Sequence, residues 1–191
     1  MEYRTRLAEI LGPSRHNATP GAWQALEAEL AAGLPSDYKE FIESYAPVRV
    51  NSHLHFDHPA HPQWNLGKWI KETLDAYREV EWDELTCPDF VSSEPSFGAP
   101  DGLVPLFGSD RGECFFFRPG RNPSVYVYVG SDDDFYRYDM TFSEWLYRYL
   151  SGEDMAGPNS SAFYPGPVRF DALPGAEGPE GDSWFGPARL D

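Results

Sequence analysis

Apolar and polar residues change period more than once along this chain, and each change marks a new element. Thr19 followed by Pro20 reads as a helix cap with proline in the first turn, and Trp23, Leu26 and Leu30 then recur at helical spacing. That helix stops near Gly33. Leu34-Pro35-Ser36-Asp37 opens a second helix, with a capping side chain and an acid at the positive end of its dipole. Its Tyr38, Phe41, Ile42 and Tyr45 share one apolar stripe. From Val48 the period becomes two: Val48, Val50, Leu54 and Phe56 alternate with Arg49, Asn51, His53 and His55, which predicts one half-buried strand. Beyond a Pro-rich turn, Leu66, Trp69, Ile70, Thr73, Leu74, Tyr77 and Val80 mark a longer helix running to about Glu81. A loop with Pro88, Pro95, Gly98 and Pro100 ends this half.

The second half predicts strands at Leu103 to Phe107, Cys114 to Arg118, Val125 to Val129 and Phe135 to Tyr138. Gly108-Ser109-Asp110-Arg111-Gly112 and Gly130-Ser131-Asp132-Asp133-Asp134 supply the turn chemistry of an antiparallel meander. In Val125-Tyr126-Val127-Tyr128-Val129 the valines take one face and the tyrosines the other, so both faces of the sheet are covered at least in part. Thr141 and Glu144 form a capping box for a last helix carrying Phe142, Trp145, Leu146, Tyr149 and Leu150, which Gly152 stops. The fold class is α+β: a central, mainly antiparallel sheet flanked by N-terminal helices and a C-terminal helix. The layout predicts an N-terminal extension over 1–18, one domain over 19–155 and a Pro/Gly-rich tail over 156–191. In that tail Phe163, Tyr164, Phe170, Trp184 and Phe185 follow no period, which leaves a mobile segment and an aromatic-anchored strap as alternatives.

A chain of 191 residues with 41% hydrophobic and 24% charged residues has enough apolar material for one packed core. Its 31 acidic and 15 basic side chains give a formal charge of −16. Such a surface repels phosphate backbones, which argues against nucleic acid as a partner, and it would speed encounter with a basic protein. Plain solubility explains the same acidity, and charge alone does not choose between the two. The first residues lead into a charged stretch instead of a secretory core, and the longest apolar runs fall far short of the ~20 residues a membrane span needs. Cys87 and Cys114, the only cysteines, have no C-x-x-C spacing. These features predict a cytoplasmic protein with buried packing thiols and no membrane partner.

His53-Leu54-His55-Phe56-Asp57-His58 spells H-x-H-x-D-H, which resembles the metal-binding signature of metallo-β-lactamase-type hydrolases. In those enzymes further histidines arrive well downstream to complete a dinuclear zinc site. Here the five histidines are His16, His53, His55, His58 and His61, so none follows position 61. Two amphipathic helices also stand where that fold places strands. The simpler reading makes His53 and His55 polar positions of an alternating strand, with His58 and His61 flanking prolines in the next turn. His53, His55, Asp57 and His58 stay weak metal candidates, and no cofactor is predicted. Other catalytic signatures, including G-x-S-x-G, the P-loop, G-x-G-x-x-G and H-E-x-x-H, are missing from the sequence. The expectation is a protein that is not an enzyme.

Five blocks in order resemble the SUKH superfamily, which takes in bacterial immunity proteins and fungal cell wall assembly regulators. They are Trp23 with Glu27, Leu34 to Phe41, Asp101 to Leu106, Ser109 to Phe116, and Thr141 to Leu146. The resemblance covers about residues 20 to 152 and implies a non-catalytic role: binding and blocking a toxin, a cognate polymorphic or contact-dependent protein domain delivered by a neighbouring cell. The blocks themselves report fold and not site. The partner surface is therefore argued from charge: Asp110, Glu113, Asp132, Asp133 and Asp134, near the strand connections, are expected to meet basic groups of the toxin, as the substrate-binding Lys and Arg of a nuclease would supply. An intracellular scaffold or regulator of the same fold is the alternative, and a metal-dependent hydrolase the more distant one.

Overall fold

The computed structural model describes residues 2–15, 19–119, 122–161, 164–176 and 183–189. His16 and Phe163, noted above, lie outside them.

The amphipathic stripes fold as helices: α1 (Glu2–Leu11), α2 (Pro20–Leu30), α3 (Ser36–Tyr45), α4 (Leu66–Arg78) and α5 (Phe142–Leu150). α2 ends where Ala31 turns left-handed, at φ 51°. α4 is capped by the Asn65 carboxamide oxygen, which accepts from the Lys68 N–H at 3.0 Å. In α5 the Thr141 hydroxyl accepts from the Glu144 N–H at 3.2 Å, the cap that the sequence predicts. Asp37 does more than face the dipole of α3. Its buried carboxylate accepts from the Ser143 N–H at 2.8 Å, tying the start of α3 to the start of α5.

The strands are β1 (Val48–Val50), β2 (Leu54–Phe56), β3 (Val104–Ser109), β4 (Glu113–Phe117), β5 (Val125–Val129), β6 (Asp134–Tyr138), β7 (Arg169–Ala172) and β8 (Ser183–Phe185). They form one sheet in the order β6-β5-β4-β3-β2-β1-β7-β8, and every ladder is antiparallel.

Alternate residues serve two cores. Val125, Val127 and Val129 join the cluster built with α1, α2, α3 and α5, whereas Tyr126 joins Phe116, Phe135, Cys87, Cys114 and Phe90 on the other face. α4 contributes to both, with Leu66, Ile70 and Leu74 in the first cluster and Trp69 and Tyr77 against the second.

One expectation is corrected, and the two terminal stretches gain elements of their own. The predicted strand from Val48 to Phe56 is a hairpin. Asn51 and Ser52 take φ of 49° and 56°, the His53 N–H returns to the Val50 carbonyl at 3.0 Å, and Val50 pairs with Leu54. Two left-handed central residues are what a tight hairpin turn demands, and the alternation survives because the turn keeps the parity of the apolar positions. The N-terminal stretch holds a helix of its own, α1, whose Leu7 and Leu11 are buried. The tail supplies β7 and β8, and Phe170 is fully buried with Trp184 stacked on it at 5.2 Å. Strands of four and three residues are too short to show as a period.

Candidate functional site

The ladders bring the sheet's functional chemistry to one end. Leu54 pairs with Ser109, Val50 with Phe170, Arg169 with Phe185, and Glu113 with Val129, which pairs with Asp134. The β1–β2, β3–β4 and β5–β6 turns, the entry to β7 and the exit of β8 therefore share one end of the sheet. A Cβ on Gly130 would lie only 3.4 Å from the Gly112 carbonyl, so the two acidic turns are in contact.

The five acids at this end separate by burial. Glu113 and Asp134 are buried, and Asp110, Asp132 and Asp133 are exposed. Glu113 accepts a hydrogen bond from the Ser109 hydroxyl. Asp134 accepts from the Thr86 hydroxyl and from the N–H groups of Thr86 (3.0 Å), Cys87 (3.4 Å) and Phe135 (2.8 Å). Burial alone would raise the Asp134 pKa, but these donors outweigh it and hold the carboxyl below its ordinary value.

Asp132 and Asp133 project from the β5–β6 turn. Tyr136 donates to Asp132 at 2.7 Å and Tyr128 donates to Asp133 at 2.6 Å. The bond to Asp132, helped by partial burial, pushes the Tyr136 phenol up to about 12. Burial first and then Asp133 push Tyr128 up to about 12. Both hydroxyls therefore stay protonated donors that fix the acids' orientation while leaving them open to solvent.

The histidine motif is dispersed. His53 sits in the β1–β2 turn, 3% exposed, with Nδ1 on the Asp110 carboxylate, Nε2 3.7 Å from Glu113, and its ring stacked on Tyr149. Partial burial would raise the Asp110 pKa, but the His53 hydrogen bond and the neighbouring His55 and Arg111 hold it below its usual value. His55 lies in β2 opposite Arg49, where burial and that guanidinium lower its pKa. Asp57 faces Tyr38, and burial pushes its pKa up to about 6. His58 is buried at the far side of β2, 3.4 Å from the Thr19 hydroxyl, with Nδ1 accepting from the Ala60 N–H at 3.1 Å. Among the described residues no group of three or more His, Cys, Asp or Glu side chains is placed to hold a metal ion.

Beside the acidic turns lies a groove of about 420 Å³, lined by Asn51, Ser52, Arg111, Tyr164, Arg169 and Phe185 among others. Reciprocal bonds between Asn51 and Arg169, at 2.8 and 2.9 Å, lock its two walls together. Sequence reading misses the groove because the wall supplied by β7 and β8 leaves no periodic signal. The available signs were the Asn51-Ser52 pair, able to go left-handed, and aromatics in a Pro/Gly-rich stretch that a soluble surface does not need.

No helix among the described residues is long and apolar enough to cross a membrane. Neither a curated protein nor a solved structure matches the chain. The sequence model of the SMI1 / KNR4 family (SUKH-1) matches residues 17–148, more than half of the chain, from just before α2 into α5. Only α1, β7 and β8 fall wholly outside that match. The chain thus belongs to the SMI1 / KNR4 family (SUKH-1).

Proposed function

We propose that this chain is a non-catalytic immunity protein that binds and neutralises a cognate toxin domain in the cytoplasm. The observation that carries the reading is the convergence of exposed Asp110, Asp132 and Asp133 at one end of a sheet covered on both faces. Family membership favours a binding role of this kind. An acidic end built of rigid turns attracts a basic partner over roughly a Debye length and presents charges already oriented by Tyr128 and Tyr136. Little ordering is then left to be lost on association. A nuclease is the natural target class, because its substrate groove collects the cations that this end complements.

The test is rescue followed by kinetics. The wild-type chain is co-expressed with toxic domains drawn from the genes that adjoin its own, and restores growth against one of them. The double change Asp132→Lys and Asp133→Lys slows association about ten-fold at low ionic strength and flattens its salt dependence, with little change in dissociation. Growth arrest that the wild-type chain relieves for none of these domains overturns the reading. Turnover of a substrate by the pure chain, abolished in His53→Ala, overturns it too.

A further inference from the structure

The groove next to the acidic turns has a character that long-range attraction to a basic surface does not account for. The large apolar side chains left exposed among the described residues are Val80, Val91, Tyr164 and Phe185, and the last two both line this groove, at 38% and 61% exposure. Exposed aromatics beside arginines make up the composition of interface centres, where a few side chains carry most of the binding energy.

Its charges are also unevenly satisfied. The Arg169 guanidinium is taken by Asp171 at 2.8 Å, and the Asp110 carboxylate is taken by His53. Arg111, exposed at the tip of the β3–β4 turn, forms no ion pair among the described residues. In a chain with 31 acidic side chains for 15 basic ones, an exposed guanidinium that feels the adjacent Asp110 only through space and makes no ion pair, beside an aromatic groove, is open to an acid from outside.

We propose that this groove receives a loop of the protein partner that sets one Asp or Glu carboxylate against Arg111 and an apolar neighbour against Phe185. The inference rests on the toxin-binding reading only for the partner's identity. A partner that is basic overall would be drawn in by Asp132 and Asp133 and fixed in register by a single acid at Arg111. A basic protein lacking that acid would meet an unpaired cation and be rejected.

Two arms test this. A random dodecapeptide library displayed on phage is panned on the full chain, with parallel panning on Arg111→Glu. The enriched peptides carry Asp or Glu beside an apolar residue. A synthetic peptide of that sequence loses about 30-fold in affinity on Arg111→Glu and on Phe185→Ser, and keeps its affinity on Asp132→Lys/Asp133→Lys. Both altered side chains are exposed, and an unchanged melting temperature confirms that each variant folds. Enrichment of Lys or Arg instead, or equal enrichment on Arg111→Glu, overturns the proposal.

In the second arm the same variants are titrated against the toxic domains drawn from the adjoining genes, where Arg111→Glu and Phe185→Ser speed dissociation. Toxin neutralised with unchanged affinity by both variants overturns the groove and leaves the immunity reading standing. Acidic peptides held by Arg111 in a chain that fails to relieve the toxin support the groove and remove the immunity reading.

Discussion

The two faces of the sheet are covered by different means. On one, helices lay down apolar side chains, and Trp145, Phe142, Tyr38 and Ile42 are at most 2% exposed. On the other, α4 shares the work with the irregular segment 82–103, whose Cys87, Phe90 and Phe97 meet Phe116, Tyr126 and Phe135. That segment is held by carboxylates. Asp134 takes N–H groups of Thr86 and Cys87, while Asp89 accepts from the Tyr126 hydroxyl and pairs with Arg137 at 2.9 Å. The difference follows from backbone accounting: a helix satisfies its own N–H groups, so apolar area suffices to dock it, whereas an irregular cover arrives with unpaired donors. Two of the acids in this chain are therefore consumed as internal acceptors and are not free for a partner.

The helical face should fail through volume. Trp145→Ala removes a fully buried indole packed on Phe107, Phe115 and Tyr149 and also deletes its bond to the Met155 carbonyl at 2.9 Å. The expected loss is about 4 kcal/mol, read by urea denaturation. The irregular face should fail through hydrogen bonding. Asp134→Ala leaves the Thr86 and Cys87 donors without an acceptor and costs about 3 kcal/mol, with amide exchange rising first in 82–103. Because folding holds the Asp134 pKa below 3.8, its contribution is complete above that value and is lost as pH falls through the folded pKa. Wild-type protein should thus lose stability below about pH 4 more steeply than Asp134→Asn. Parallel acid curves for the two would show that volume holds both faces alike.

The same contrast separates what was legible in the sequence from what was not. The helical face was readable because Trp23, Phe41 and Trp145 recur with neighbours at helical spacing. The meander was readable because its turns carry Gly, Ser and Asp. Asp134 was not: three consecutive aspartates look alike on paper, and only the return of Thr86 and Cys87 from 48 and 47 residues away distinguishes the third. His53 misled for a related reason. Its alternation with Leu54 was genuine, but the backbone reverses at Asn51 and Ser52 and delivers it to Asp110, 57 residues on. The groove was hidden because β7 and β8 become strands only by pairing with a sheet already formed.

Asp57 sharpens the comparison from the other side, being a half-buried acid beside Tyr38 with no hydrogen-bond donor among the described residues. Its pKa of about 6 lies above the ordinary 3.8, so the folded state favours the proton. Stability falls as pH rises from about 4 to about 6, opposite in sign to Asp134. Asp57→Asn should stabilise the protein by about 1 kcal/mol at pH 7 and by nothing at pH 3.5, as followed by thermal melts at the two pH values. Equal effects at both would place the cause in packing and not in ionisation.

The smallest stability effect belongs to the acids that remain exposed. Asp132 and Asp133 adjoin Asp134 in sequence but, among the described residues, accept only from the tyrosine hydroxyls and the neighbouring Ser131, at a turn open to water. Replacing both with Lys removes like-charge repulsion in a chain of net charge −16 and forfeits three solvent-screened hydrogen bonds, terms that nearly cancel. The melt should move by less than about 0.5 kcal/mol while association with a basic partner slows. A destabilisation as large as that of Asp134→Ala would mean that the whole turn serves the fold. An unchanged melt with altered encounter kinetics would mean that the chain splits one acidic run between holding its cover in place and meeting its partner.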